Sequence, residues 1–329
     1  MRGVSVIICC YNSAGRLPNT LFYLSKQTQT IDLNWEIVIV DNASIDETSQ
    51  VAFHEWKKYK SKISLRVVNE PKQGQFYARE RGISESIYDT LVFCDDDNWL
   101  EENFVSIANG LMASNPRVGA IGGLGKPFFE ASPPKWFSVF IGFFAIGEQN
   151  SNFSINGREL SFVYGAGMVV SRAAINELKN QGFTPITTGR SGKRLVSGDD
   201  TELCYALQKI GYLIVYSNQL KFLHFMPTRR LTLFYVLRLV FAIGYSSEYL
   251  FPYKAWFDPS FHFPYPNTKS FFSTLFEALK SLLALFLPIS RYGSYIEKLR
   301  NFMFVMGSLQ FQFLNQSLFK KFNSFLSHR

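Results

Sequence analysis

The chain lacks the glycine patterns of the commonest nucleotide sites. It holds no Gly-x-Gly-x-x-Gly: Gly122-Gly123-Leu124-Gly125 has the wrong spacing and opens no clear helix. There is no P-loop either, so a dehydrogenase and a P-loop NTPase are both disfavoured. Cysteine is scarce. Cys9, Cys10, Cys94 and Cys204 lack zinc-ligand spacing and three of them sit in apolar runs, the pattern of reduced, core-packing thiols in a cytosolic protein. The first apolar stretch ends at Tyr11-Asn12 without a small-residue cleavage site, which argues against a signal peptide. Nor does any segment offer the ~20 uninterrupted apolar residues of a spanning helix. The cleanest run, Leu282 to Ile289, is short and contains Pro288.

What is present is apolar and unevenly charged. The 329 residues suffice for one large α/β domain plus an appendage. Hydrophobic residues make up 47% and aromatics 16%, which is rich for a soluble protein. From Lys221 to Arg329 there are 13 basic and 4 acidic residues, whereas the rest carries 21 and 22. That last third also holds 27 of the 54 aromatic residues. A nucleic-acid surface would be basic without being so apolar, so no nucleic-acid partner is expected. An anionic membrane surface accounts for both properties, and packing on the body or on a second subunit, as a homo-oligomer, is the plainer alternative. The expected division is a catalytic domain over 1–228 and a basic, aromatic-rich, membrane-associating helical region over 229–329.

Strand-like and helix-like segments alternate through the first half. Strands are expected at Val4–Ile8, Trp35–Val40, Ile63–Val68 and Thr90–Cys94, with helices over Gly15–Gln27, Asp46–Lys58 and Gln75–Ser86. This alternation argues for a largely parallel sheet flanked by helices, an α/β fold. Gly119 to Pro134 reads as loops and short irregular strands, followed by helices over Ser171–Asn180 and Asp199–Ile210. In the tail, Arg230 to Tyr249 is apolar nearly all round, and Phe251 to Asn267 is a Pro/aromatic connector. Ser273, Glu277, Lys280 and Ser281 mark a polar face on a helix over Ser270–Leu287. A last stripe runs through Phe311, Leu314, Leu318, Phe322 and Phe325.

The chemistry concentrates at strand ends. Asp95, Asp96 and Asp97 follow the apolar run Thr90-Leu91-Val92-Phe93-Cys94, at the sheet edge where open α/β folds bind ligands. Like charges clustered there need a cation, and oxygen ligands suit Mg²⁺ or Mn²⁺, the usual escorts of phosphates. A solvated acidic turn is the bland alternative. Asp41 closes the second strand, a position that commonly holds a ribose or base, and Asp46 suits a helix cap. Asp199 and Asp200 open a helix, where they complement its dipole at the least. His224, between Leu223 and Phe225, is by itself more often a core residue than a ligand.

Taken in order, Val4 to Asn12, Val40-Asp41-Asn42-Ala43-Ser44, Gly74 to Gly82, Phe93-Cys94-Asp95-Asp96-Asp97, Tyr164-Gly165-Ala166-Gly167-Met168, Ser197 to Leu203 and His224 resemble the family 2 glycosyltransferases. Gly189-Arg190-Ser191-Gly192-Lys193 and Met226-Pro227 to Leu231 look like the bacterial surface-polysaccharide branch. The resemblance implies the GT-A fold, a mixed, mostly parallel sheet, with a C-terminal helical appendage. It implies a nucleotide-sugar donor, with Tyr11, Asn12 and Asp41 at the nucleobase, Arg79 and Asp95 near the nucleotide, and Asp96 beside them. Asp97 and His224 would hold a divalent metal, Mn²⁺ or Mg²⁺. Gly165, Ala166 and Gly167 would line the pocket between sugar and acceptor. Asp200 would be the base of an inverting single displacement.

Three positions depart from the family pattern: Asp199 where Glu is more usual, Glu80 for Asn, and Ala206 for Arg. There is no Gln-x-x-Arg-Trp motif, which disfavours a processive synthase. The implied acceptor is a lipid-linked glycan or oligosaccharide at the inner face of the cytoplasmic membrane. A non-catalytic sugar-nucleotide scaffold and a nucleotidyltransferase are the rivals, though the latter would normally carry a Gly-rich loop where Cys9-Cys10-Tyr11-Asn12-Ser13 stands. Lys135-Trp136-Phe137 fits an acceptor-stacking role and a lid packed on the core equally well.

Overall fold

The computed structural model describes residues 1–29, 31–149, 153–155, 158–160, 162–187, 189–190, 197–251, 253, 257, 268–286 and 294–314. The β-branched run Val4–Cys10 forms β1, followed by α1 (Leu17–Ser25), β2 (Trp35–Asp41), α2 (Thr48–Lys58), β3 (Ser64–Asn69) and α3 (Gln75–Glu85). Next come β4 (Thr90–Asp95), β5 (Asn98–Leu100), α4 (Phe104–Ser114) and β6 (Val118–Phe129). A 3₁₀ stretch over Lys135–Phe144, the two-stranded ribbon β7 (Phe153–Ile155) and β8 (Arg158–Leu160), β9 (Met168–Ser171) and α5 (Arg172–Asn180) lead on. The chain continues through α6 (Asp199–Lys209), β10 (Leu213–Met226), a 3₁₀ turn (Thr228–Leu231), α7 (Leu233–Ser247), α8 (Thr268–Ala284) and α9 (Tyr295–Leu314).

Eight strands form one sheet in the order β3-β2-β1-β4-β9-β6-β10-β5. The first four strands pair in parallel, β9 runs antiparallel between β4 and β6, and β10 is parallel to β6 and antiparallel to β5. This is the expected mixed, mostly parallel α/β sheet. Alternate residues of β1 face opposite sides. Val4, Val6 and Ile8 join Leu17, Leu21, Ala52, Phe104 and Val105 on one face. Ile7 meets Val38, Val40, Ala78, Ala174 and Leu178 on the other. A third core joins Phe137, Phe140 and Phe144 to Met226, Leu231, Val236 and Val240.

The glycine-rich stretch after Val118 is not a loop. It is a central strand, β6, buried through Gly123. A Cβ at Gly122 would lie 2.5 Å from Val163, and one at Gly123 would lie 2.4 Å from the Leu220 carbonyl. The glycines mark close backbone approach rather than turns. Phe137 is buried in one core with Phe140 and Phe144, and Trp136 packs on both Phe137 and Phe140, so that segment packs on the core.

The tail also departs from expectation. Leu233–Leu250 has a mean hydropathy of 1.2 and is, by length and composition, long and apolar enough to cross a membrane. The expectation counted uninterrupted runs, and Arg238 and Glu248 break the run without lowering the average below that level. A buried core helix passes the same measure, and α7 buries Val236, Leu239, Val240, Gly244 and Ser246. Glu248 accepts from Ser308 and from Gln312 Nε2 (3.2 Å), which also donates to Thr274 Oγ1 (2.9 Å), tying α7, α9 and α8 together. On α8, Ser281 is half-buried, while Phe272, Phe276, Leu279, Leu283 and Phe286 are exposed. Most of the Phe251–Asn267 connector and the stripe beyond Leu314 lie outside the described residues.

Helices α7 and α9 cross with almost no side chain between them. A Cβ at Gly307 would stand 2.0 Å from the Phe241 carbonyl, and one at Gly244 would stand 2.0 Å from that of Phe304. Overpacking of this kind costs about 1–3 kcal/mol. Gly307→Val is therefore expected to lower the urea midpoint by that equivalent. An unchanged midpoint would show that the crossing relaxes freely.

Candidate active site

Register brings the acidic residues together. Cys9 lies opposite Asp95 across β1 and β4. Three residues later the chain enters β5, where Asn98 pairs with His224 of β10, and the Phe225 N–H donates to the Asp97 carbonyl (2.9 Å). Thus β10, which is distant in sequence, delivers His224 to the aspartate turn. On the other side, the turn before β9 meets the start of α6. The Gly165 N–H donates to Asp200 Oδ2 (2.8 Å), and the Thr201 N–H donates to Oδ1 (2.8 Å). A Cβ at Gly165 would stand 2.6 Å from Arg79 Nη2 and 3.3 Å from the Asp200 Cβ, so any larger residue would push on the Arg79 guanidinium.

One cavity of about 1230 Å³ joins these groups. Tyr11, Asn12, Arg79, Asp95, Asp96, Asp97, Gly165, Ala166, Asp200 and His224 all line it; Asp41 and Gly167 do not. Asp41 accepts from the Ser44 N–H (3.1 Å) and from Ser49, shaping the loop that in turn binds Asn12. Gly167 turns the chain at φ 65°, with the Phe222 ring 2.9 Å from where its Cβ would stand. Asp46 accepts from the Ala14 and Thr48 N–H groups, both at 3.1 Å, at the start of α2. Lys135, Trp136 and Phe137 stay off the cavity wall, whereas Gly142 to Ala145 lie on it.

Three of the buried carboxylates carry arginine partners. Asp96 accepts from Arg16 Nε (3.0 Å) and Nη2 (2.5 Å), and also from Ser13. Asp199 accepts from Arg79 Nη1 (2.6 Å), whose guanidinium lies over the Phe93 ring. Asp97 accepts from Arg230 Nη2 (2.9 Å) and from Asn98 Nδ2 (3.2 Å). Burial works to raise the Asp97 proton affinity, but Arg230 and His224 outweigh it and hold this carboxyl well below the usual range. Asp95 and Asp200 have no arginine in ion-pair contact among the described residues. Burial, then Asp97, pushes Asp95 up to about 6. Burial, then Asp199, raises Asp200 against the pull of Arg79.

The donor set fits a divalent ion. His224 Nε2 lies 3.2 Å from Arg230 Nη1 and 3.5 Å from Asp97 Oδ1. Nδ1 is buried without a partner. His224 Nε2 and the Asp97 carboxylate therefore meet at one point, which the Arg230 guanidinium also reaches. Among the described residues no third His, Cys, Asp or Glu joins them in a metal-holding group. Diphosphate oxygens would be needed to complete a coordination sphere. The partners of Arg16 and Arg230 escaped the sequence reading, because pairing over such separations leaves no local spacing. The cysteines are free, and burial pushes Cys9 and Cys204 up to about 12.

A mixed sheet with an acidic turn at the end of β4 and a carboxylate at a helix start beside it defines a GT-A-type fold. Residues 5–179, more than half of the chain, match the family model of glycosyl transferase family 2, and the chain belongs to that family. It is similar to glycosyltransferase AglE of Haloferax volcanii (33% identity over 110 residues, 32% of this chain and 35% of that protein). It is likewise similar to the dolichyl-phosphate beta-glucosyltransferase of Homo sapiens (35% over 100 residues, 29% and 31%). The chain thus spans about a third of the length of the curated relatives it matches. Among solved structures, mannosyltransferase PcManGT from Pyrobaculum calidifontis, in complex with GDP-Man and Mn²⁺, superposes with a TM-score of 0.62. It is 17% identical, and the match covers 95% of this chain and 88% of that one.

The Arg79–Asp199 pair is mostly buried, with side chains 11% and 17% exposed. Removing one partner of such a pair typically costs about 3–5 kcal/mol. Arg79→Ala should lose stability on that order in urea unfolding, and adding Asp199→Asn should recover part of it. A double variant no more stable than the single would show that the pair does not offset the burial of these charges.

Proposed function

We propose that this protein moves a single sugar from a nucleotide-sugar donor to a hydroxyl of a lipid-linked or oligosaccharide acceptor, with inversion, in surface-polysaccharide assembly. One observation carries the reading: Asp200, held among the described residues only by neutral donors and raised in proton affinity, shares a cavity with the Asp95–Asp97 turn. A base must hold a proton taken from a hydroxyl that becomes acidic only as its bond to the sugar forms, and a raised carboxylate suits that task. Asp200 Oδ2, oriented by the Gly165 N–H, takes that proton in this reading.

The nucleotide would lie along Tyr11, Asn12, Arg79 and Asp95. Asp97 and His224 would hold Mn²⁺ or Mg²⁺, which when bound neutralises charge growing on the diphosphate leaving group. Arg230 sits at the same point and would supply a second positive charge to that oxygen cluster. The GDP-Man and Mn²⁺ bound to the structurally similar mannosyltransferase support this donor class and this kind of metal. Residues 1–228 would form the catalytic domain and 229–329 the membrane-associating region, with α7 walling the cavity. The exposed Phe272, Phe276, Leu279, Leu283 and Phe286 stripe, in a tail with surplus positive charge, supports attachment to an anionic membrane at its cytoplasmic face.

Asp200→Asn is expected to lower sugar transfer about 10²–10⁴-fold, the usual worth of a positioned base, while nucleotide affinity by calorimetry stays at the wild-type value. Nucleotide binding by a wild type that transfers nothing to any acceptor would favour the scaffold instead. The pH profile offers a separate check. Because Asp200 binds its proton more tightly than an ordinary carboxylate, activity should fall on acidification earlier than such a group would dictate. Asp199→Asn removes the neighbouring negative charge and frees Arg79 to act on Asp200, so this acid limb should move to lower pH. A limb that stays in place, or moves up, would separate Asp200 from the titration.

A further inference from the structure

Six arginines line the cavity, and three of them are consumed by its carboxylates: Arg16 by Asp96, Arg79 by Asp199 and Arg230 by Asp97. Arg190 stands at the donor side, where its carbonyl accepts from the Gln75 N–H at the start of α3 (2.9 Å). Arg229 and Arg238 remain. Both are exposed on the α7 side of the cavity, and among the described residues no carboxylate lies within ion-pair distance of either.

The wall they belong to has a gradient. Tyr235, Arg238, Leu239, Ile243 and Ser246 fall on one face of α7 and line the cavity, with Phe304 of α9 beside them. The Arg238 guanidinium lies over the Phe234 ring, 5.6 Å from its centroid, and that ring is 73% exposed. At the other end, the Ser197 N–H donates to Ser246 Oγ (3.2 Å), and Leu250 touches Gly198, the residue before Asp199 and Asp200. The face therefore runs from a free cation, across apolar side chains, to the start of the helix that holds the candidate base. Arg238 and Ser246 are eight residues apart, about 12 Å along a helix.

We propose that Arg238 and Arg229 form a phosphate subsite for the acceptor, which would be a glycosyl phosphate or diphosphate on an apolar carrier. Its hydroxyl would lie at Asp200, its phosphate at the arginine pair and the start of its tail against Leu239, Ile243 and Phe304. Guanidinium groups suit this role because they bind phosphate oxygens in parallel pairs and stay charged at every working pH. The inference rests on the transfer reading above and deepens it by separating two phosphate sites in one cavity. The donor's diphosphate goes to Asp97, His224 and Arg230, and the acceptor's goes to Arg229 and Arg238.

The probe is farnesyl diphosphate, with farnesol as its uncharged counterpart and UDP or GDP with Mn²⁺ for the donor side, all measured by calorimetry on the full chain. Wild type should bind farnesyl diphosphate more tightly than farnesol, and should still bind it when the nucleotide is saturating. Losing charge-assisted hydrogen bonds worth about 1.5–3 kcal/mol should weaken farnesyl diphosphate at least tenfold in Arg229→Ala/Arg238→Ala, with nucleotide affinity unchanged. Both residues are exposed, so the variant should fold. Competition between farnesyl diphosphate and nucleotide, with the variant losing nucleotide affinity, would overturn the proposal and assign both arginines to the donor. Equal binding of farnesyl diphosphate by wild type and variant would overturn it as well. No turnover is needed, so failure of this subsite and failure of the transfer reading give different results.

Discussion

Five carboxylates line one cavity, and keeping them there is the constraint on which the structure turns. Buried like charges are tolerated only when cations or hydrogen bonds compensate them. The compensation comes from far away in the chain. Arg16 precedes α1, Arg79 lies on α3 and Arg230 sits in the 3₁₀ turn after β10, and their partners are Asp96, Asp199 and Asp97. No fragment of the fold contains all three pairs. The acidic wall is therefore assembled only when the N-terminal strands, α6 and the end of β10 are all in place.

The two carboxylates left without an arginine matter as much as the three that have one. Asp95 and Asp97 stand two residues apart at the end of one strand, yet burial and mutual repulsion push the first up to about 6 while Arg230 and His224 hold the second far down. Across the cavity, Asp199 takes the charge of Arg79 and leaves Asp200 with neutral N–H donors. Environments that drive neighbouring acids apart in proton affinity are how one site holds both a permanent anion and a proton acceptor. Here Asp95 is raised and Asp97 lowered within one turn, and Asp200 is raised across the cavity, according to where an arginine enters.

Much of this was legible in the sequence, because strand ends carry local signals. The runs ending at Asp41 and Asp97, and the acidic start of α6, gave the sheet, the cavity's location and ten of the twelve candidate residues on its wall. Asp41 and Gly167 stand off that wall, because a sequence does not reveal which carboxylate its own loop will hold, or which glycine turns away from a pocket. The β6 glycines read as turns because the contacts that demand them come from Val163 and Leu220, more than 35 residues downstream. Arg16 left no trace for the same reason, and Arg230, inside the Met226 to Leu231 stretch, gave no sign of its partner Asp97. On α8 the expected polar residues Ser273, Glu277 and Lys280 are exposed, but so are apolar ones beside them: periodicity gives the faces of a helix but not which of them the body covers.

Helix α7 shows how composition alone can mislead about environment. Its hydropathy matches that of a membrane span, yet each side has a nearer explanation. Val236 and Val240 fill the core built by Phe137, Phe140 and Phe144, and Gly244 lets α9 pack at backbone contact. The remaining face, from Tyr235 through Arg238 to Ser246, belongs to the cavity. A helix that packs on two neighbours and walls a pocket with its third side has little surface left for polar residues. An apolar helix with one arginine is what those three duties require. The same logic leaves α8 as the exception in this layer, because Phe276, Leu279 and Leu283 stay exposed on it and an apolar face of that kind favours being covered.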